Sequence, residues 1–225
     1  MALNLLSLKD AAAFLGMEPG ELRQMAVCGE IPCVQQGERM LFEYGELDTW
    51  FTKRLVRHEP VKLCEAPVVS LSSLCSVETM DCALPGKTKS AVLKSLTALA
   101  ERSGLLYDPK EFEDELRKRE EIGSTAMAEG VALVHPNRRD EYICEGPFVA
   151  IARSERPVFF GEADGIPTDI FFVVSSPDNL EHLHILARVC EILLKSNLLT
   201  ALREAQSPEE MLAAVQAAEG VKTEE

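Results

Sequence analysis

Arg119-Glu120-Glu121-Ile122-Gly123-Ser124-Thr125-Ala126-Met127-Ala128-Glu129-Gly130-Val131-Ala132-Leu133-Val134-His135-Pro136 is the stretch on which the reading of this chain turns. Its second half reads as a glycine turn at Gly130, a short apolar strand over 131–134, and an imidazole where the strand ends. Arg119 closes a charged helical pattern upstream, and the hydroxyls of Ser124 and Thr125 fill the gap. A second imidazole pair, His182-Leu183-His184, opens a later helical stretch. A histidine near pKa 6.5 is largely neutral at cellular pH, so a ring nitrogen can attack phosphorus. Phosphoryl transfer is mostly positioning plus charge stabilisation. A guanidinium fork suits phosphate oxygens, and hydroxyls donate to them. Cation, hydroxyls and imidazoles are therefore the parts needed to hold a phosphoryl group on a histidine. His184, two residues beyond His182 on a helix, points away from it.

Outward from this stretch, short apolar strands (131–134, 148–151, 170–174) alternate with amphipathic helices (90–103, 109–121, 180–194, 208–218). Ser207 is placed to cap the last of these. The alternation predicts an α/β domain over 87–218, followed by a frayed tail at 219–225. Residues 1–58 read differently. Helices at 8–15 and 19–28 flank the turn Gly16-Met17-Glu18, a hairpin spans 31–34 and 40–42, and a last helix carries Leu47, Trp50, Phe51 and Leu55. That order predicts a small helix-turn-helix with a wing. Between the two, 59–86 is broken by Pro60, Pro67 and Pro85 and reads as a linker leading into the first element of the next domain, with 68–74 as a candidate strand. Pro85-Gly86-Lys87-Thr88 ends like a phosphate-binding loop, but Asp81 stands where that loop needs its first glycine, so it reads as a turn.

Composition narrows the function. In 225 residues the net charge is −14, which argues against broad, non-specific nucleic-acid binding. Seven cysteines form no C-x-x-C pair, and Cys28 and Cys33 lack partners at zinc spacing, so neither a metal site nor a cofactor is expected. The start of the chain lacks the charged, then apolar, pattern of a secretory signal. No run approaches the roughly 20 apolar residues of a membrane span. The expectation is a cytoplasmic protein with no membrane insertion.

Three features of the first module carry a resemblance. Leu6-Ser7-Leu8-Lys9-Asp10-Ala11-Ala12-Ala13-Phe14-Leu15-Gly16, Gly29-Glu30-Ile31-Pro32 and Glu46-Leu47-Asp48-Thr49-Trp50-Phe51 resemble the excisionase and MerR-like DNA-binding module. The resemblance implies that Arg23 and Gln24 face DNA from the second helix, with Arg39 at the wing. Against it, residues 1–60 hold six Lys/Arg and nine Asp/Glu, whereas phosphate contacts supply most of the affinity in DNA complexes. DNA binding and protein docking both remain open for this module, and a homodimer on paired half-sites fits the first. Trp50 reads as core packing.

The stretch 119–136 resembles the active-site segment of the fructose/mannitol-class enzyme IIA of the bacterial phosphotransferase system, including its nitrogen-regulatory members. Thr168-Asp169-Ile170-Phe171-Phe172-Val173-Val174 and His182-Leu183-His184-Ile185-Leu186-Ala187-Arg188 match later family segments in order. The resemblance implies a mixed sheet flanked by helices, His135 as phosphoryl acceptor, His182 as second active-site imidazole and Arg119 as phosphate-side cation; Ser124 and Thr125, by their hydroxyl chemistry, are candidate phosphate contacts. It implies an HPr-type phosphocarrier as partner. Val134 stands where the family has proline, with Pro136 after the histidine instead. Three functions fit: a regulator phosphorylated on His135, a relay passing the phosphoryl group to a sugar-transport partner, and a non-catalytic interaction protein.

Overall fold

The periodic segments resolve into two units, Met1–Pro67 and Val68–Glu225, in a computed structural model that describes residues 5–37, 39–56, 69–138, 142–161 and 165–220. In the first unit, strand β1 (Leu5–Ser7) runs straight into helix α1 (Leu8–Leu15). The Ser7 side chain accepts the Asp10 N–H at 3.2 Å and so caps α1. Gly16, at φ 60°, ends α1 in the left-handed conformation that glycine adopts without a Cβ penalty. Helix α2 (Pro19–Val27) begins on a proline, whose missing N–H is no loss at that position. Strands β2 (Val34–Gln36) and β3 (Arg39–Glu43) pair antiparallel, and β1 lies on the other side of β3. Helix α3 (Tyr44–Val56) closes the unit by burying Leu47 and Phe51, while Phe14 and Tyr44 stack with ring centroids 4.8 Å apart.

Several local expectations shift here. The first hairpin strand lies at Val34–Gln36, not 31–34; Ile31 is instead buried as a core residue from the loop. Strand β1 is only three residues long, too short for an alternation to show. Trp50 is half-buried: its indole N–H donates to the Glu30 carbonyl at 2.7 Å, and the Arg54 guanidinium lies 5.1 Å from its ring. It packs at the edge of the core with its polar tip satisfied.

The second unit is built on a four-stranded sheet of order β4 (Met80–Leu84), β6 (Phe148–Val158), β7 (Thr168–Ser175), β5 (Val131–Val134). β4 and β6 are parallel, β6 and β7 antiparallel, β7 and β5 parallel. β5, the first half of β6 and the middle of β7 read as continuous apolar runs because both faces are covered there. One face presents Ala132, Val134, Ala150, Ala152, Phe171 and Val173 to helices α4 (Lys89–Glu101) and α5 (Pro109–Ile122). Their sequence neighbours, equally buried, point to the other face. There α6 (Asn179–Lys195), α7 (Leu198–Glu204) and α8 (Pro208–Gly220) pack on the sheet. The mixed sheet flanked by helices is as expected.

The region read as linker and first element, 59–86, lies outside the described residues up to 68. From there it belongs to the second unit. The candidate strand 68–74 is corrected: its described part holds a 3-10 turn at Ser72–Leu74, and the strand of this region is β4. Asp81 and Cys82 inside β4 mask its alternation. Helix α7, only seven residues long, was not anticipated. The turn at Gly86 leads into α4, whose N-cap Thr88 accepts the Ala91 N–H at 3.3 Å.

Glu219, in the last turn of α8, fastens the beginning of this unit to its end. Its carboxylate accepts from the Leu71 N–H, from the Ser72 N–H at 2.9 Å, and from the hydroxyls of Ser70 and Ser72. Burial pushes its pKa up, but these hydrogen bonds outweigh that and hold it below the ordinary 4.5. A depressed carboxylate pKa stabilises the fold above the unfolded value and loses that contribution as pH falls through the lower folded value. Glu219→Gln is therefore expected to flatten stability against pH below about 4.5, measured as urea midpoints from pH 7 to pH 3.

Candidate functional site

Helix α5 starts on the Asp108 side chain, which accepts the Lys110 and Glu111 N–H groups at 2.9 and 3.1 Å. Phe112 and Leu116 turn inward to the core. Glu111, Glu115 and Arg119 recur every four residues, so they stand above one another on one helix face. That face meets the chain leaving β5. Arg119, 1% exposed, donates from Nε to His135 Nε2 at 3.0 Å and from Nη1 to the Gly123 carbonyl at 2.8 Å.

His135 follows directly on β5 and is fully buried. Its Nδ1 lies 2.8 Å from the Leu133 carbonyl. A carbonyl only accepts, so Nδ1 carries the proton. Nε2 then presents its lone pair, and the Arg119 N–H points into it. The two partners together assign one tautomer, with the proton on Nδ1 and the lone pair on Nε2.

The topology delivers the second imidazole. β5 and β7 are parallel, with Val134 opposite Val173, so both end at the same edge of the site. After Ser176 and Pro177, the Asp178 side chain accepts the Glu181 N–H at 2.8 Å and caps α6. His182 falls in the opening turns of α6, fully buried, its ring centroid 5.3 Å from that of His135 at 64°. His184 is half-buried; burial pushes its pKa down, partly opposed by Asp178.

The two hydroxyls have structural partners. Ser124 Oγ donates to the Phe160 carbonyl at 2.9 Å and accepts the Ala126 N–H at 3.1 Å. Thr125 gives both its hydroxyl and its N–H, the latter at 3.1 Å, to Glu120 Oε1. Glu120 is buried and pairs through Oε2 with Lys89 Nζ at 2.5 Å. The structure thus brings Arg119, His135 and His182 together, and it engages Ser124 and Thr125 with the chain around them. Arg23, Gln24 and Arg39 are exposed in the first unit, on α2 and β3.

Sequence reasoning missed Glu115, Glu120 and Lys89. Glu115 is buried; its backbone carbonyl accepts the Asn137 N–H at 3.1 Å and its carboxylate accepts the Arg138 N–H at 3.0 Å. Arg138 also reaches Glu111 at 2.7 Å. The four-residue spacing of Glu111, Glu115 and Arg119 was the available signal. It was hidden because Arg117-Lys118-Arg119-Glu120-Glu121 looks like solvated surface.

The comparison with known families matches residues 73–218 to the model described as phosphoenolpyruvate-dependent sugar phosphotransferase system, EIIA 2. The chain belongs to this EIIA 2 family. A nitrogen regulatory protein of Pseudomonas aeruginosa is 30% identical over 128 residues, 56% of this chain and 81% of that protein. One from Bradyrhizobium diazoefficiens is 32% identical over 149 residues, 64% of this chain and 94% of that protein. Among solved structures, the nitrogen regulatory protein IIA-Ntr of Neisseria meningitidis superposes with a TM-score of 0.57 at 24% identity, covering 64% of this chain and 97% of that one. The mannitol IIA of Escherichia coli gives 0.54 at 18% identity, with coverage of 63% and 98%. These two structures share the fold of the second unit. Among the described residues, no helix is long and apolar enough to cross a membrane.

In this EIIA 2 chain, the segment after His135 depends on Glu115. Lys118 lies 2.5 Å from the same carboxylate, and that hydrogen bond raises its pKa. Glu115→Ala is expected to destabilise the chain by about 1–3 kcal/mol in urea unfolding, because the Arg138 N–H loses its acceptor. In the same variant the Lys118 amine should titrate lower, read by NMR.

Proposed function

We propose that this chain is a phosphotransferase-system regulator, phosphorylated on His135 Nε2 by a phospho-HPr-type carrier. The observation that carries the reading is the tautomer: Nδ1–H rests on Leu133 O, and the Nε2 lone pair faces the buried Arg119 cation. The lone pair of Nε2 forms the new N–P bond. The donor's P–N bond breaks, and its electron pair returns to the donor imidazole. Nδ1–H stays on the Leu133 carbonyl, which stabilises the charge gained by the ring. Arg119 then bonds phosphoryl oxygens in place of Nε2, with the His182 ring alongside. Ser124 and Thr125 act here by fixing the backbone rather than by donating to phosphate.

The first unit is read as a winged helix-turn-helix, with α1 and α2 as the helix pair and β2–β3 as the wing. Arg23, Gln24 and Arg39 are its exposed candidate contacts to DNA, and a homodimer would present two of them. The phosphoryl group adds about −1.5 to −2 charges to the second unit, enough to alter a docking surface. The nitrogen-regulatory relatives favour a regulatory role over sugar uptake, and we place that role in the cytoplasm. A relay is the second reading. It is favoured by the solved complex of mannitol IIA with phosphorylated mannitol IIB from Escherichia coli.

Incubation with labelled phosphoenolpyruvate, enzyme I and the HPr-type carrier is expected to give acid-labile label that His135→Ala abolishes. Label that persists in His135→Ala, or no label in either protein, overturns the reading; onward transfer to a IIB protein selects the relay. For the first unit, mobility shift on the DNA upstream of its own coding region should weaken about tenfold or more between roughly 50 and 200 mM salt, as two or more phosphate contacts require. Retention that ignores salt removes DNA as the partner.

A further inference from the structure

The outer edge of β5 is zipped to the segment that follows α5. The Met127 N–H donates to the Val131 carbonyl at 2.7 Å, and the Leu133 N–H donates to the Thr125 carbonyl at 3.1 Å. Ala126 and Ala132 form an antiparallel bridge between them. In a strand the N–H and C=O of one residue point to the same side. Leu133 therefore turns its carbonyl to this outer edge as well, where another strand's N–H would continue the ladder. His135 Nδ1–H takes that place at 2.8 Å. The orientation of the imidazole thus depends on the seating of Thr125 against Leu133 as well as on Arg119 at Nε2.

Thr125 is seated by Glu120. Both the hydroxyl and the N–H of Thr125 go to Oε1, and Lys89 holds Oε2 at 2.5 Å. Glu120 is 8% exposed, and burying a carboxylate is costly unless it is paired and hydrogen-bonded. A leucine would fill the same space without that cost. The charge is kept where it grips one residue, and that residue grips the strand that carries the phosphoryl acceptor. Arg119 and Glu120 are adjacent in the last turn of α5. Arg119 reaches Nε2 directly, and Glu120 reaches Nδ1 through Thr125 and Leu133.

We propose that Glu120, braced by Lys89, is a positioning residue that holds His135 in its Nδ1–H tautomer through Thr125 and the Leu133 backbone. The proposal rests on His135 as the phosphoryl acceptor, but its first readout does not use phosphorylation. The opposite tautomer would put a hydrogen on Nε2 and remove the lone pair that attacks phosphorus. Around metal-bound imidazoles, loss of an orienting partner lowers activity about ten- to a hundredfold, and a loss on that order is expected here.

The test uses the full chain with 15N-labelled histidine. In the wild type, ring nitrogen shifts should report Nδ1–H and unprotonated Nε2 for His135. Glu120→Leu should move those shifts toward a mixture and slow labelling by phospho-HPr about ten- to a hundredfold while circular dichroism stays unchanged. Glu120→Gln keeps an oxygen for Thr125 and should restore most of both. A folded Glu120→Leu with wild-type ring shifts and wild-type labelling overturns the proposal. Should Glu120→Leu fail to fold, Thr125→Val carries the test: unchanged shifts and rate in that variant overturn it equally. Wild-type protein that shows the single tautomer yet takes no label counts against His135 as acceptor and leaves the role of Glu120 in setting the tautomer to the ring shifts alone.

Discussion

The hydrogen bond from Arg119 Nε to His135 Nε2 ties the last turn of α5 to the end of β5, and the site is arranged around it. Both side chains are almost wholly inside the protein. A guanidinium does not give up its proton and keeps a positive charge when buried, so the surrounding chain must supply acceptors at fixed positions. An imidazole does so only when its lone pair faces the cation. That requires the proton on Nδ1, and a carbonyl to receive it. Leu133 provides the carbonyl, and β5 must therefore end within reach of the last turn of α5. The position of one strand relative to one helix follows from the valence of one ring.

The sheet order makes that placement available. β5 lies at the edge, parallel to β7, so His135 and the start of α6 share one end of the sheet. An edge strand exposes unpaired backbone groups unless something covers them. Thr125–Met127 covers β5, which is why the hydroxyl-bearing segment between α5 and β5 is engaged with backbone and with Glu120. At the other end of β5, Gly130 sits at φ 76°, and a Cβ there would lie 2.9 Å from Asp169 Oδ1. Arg203 joins that Asp169 carboxylate to the Glu129 carbonyl. The strand is therefore clamped before it begins and again where it ends.

How much of this was legible depended on what kind of signal each residue gave. Val131–Val134 and residues 170–174 announce themselves as buried strands because both of their faces are covered and no polar residue interrupts the apolar run. β4 did not, because Asp81 and Cys82 break its pattern at an edge of the sheet. The apolar run predicts only residues 148–151 of β6, which continues to Val158, because Arg153, Glu155 and Arg156 look like a loop in the sequence. Arg153 remains in the strand because its guanidinium reaches the Cys82, Leu202 and Arg203 carbonyls. At the site, His135, Arg119 and His182 were recognised as a set, while Glu120 was passed over beside Arg119. A charge whose partner is remote in sequence, such as Lys89, leaves no local pattern. The sequence offers Ser124 and Thr125 as candidate phosphate contacts, and their acceptors in the fold, Phe160 O and Glu120, are visible only once the chain is folded.

The geometry also sets a limit on chemistry at His135. Nε2 has one lone pair. In the structure that pair accepts the Arg119 N–H, and in a phosphorylated ring it would form the N–P bond. The two are mutually exclusive, so the state of the histidine is at the same time the state of Arg119. The second acceptor of Arg119, the Gly123 carbonyl, lies at the end of α5, one residue before Ser124 and two before Thr125. Whatever changes the bond at Nε2 thus acts on the turn that also seats Thr125 against β5. A site built this way couples any substitution at one imidazole nitrogen to the packing of the helix and strand around it.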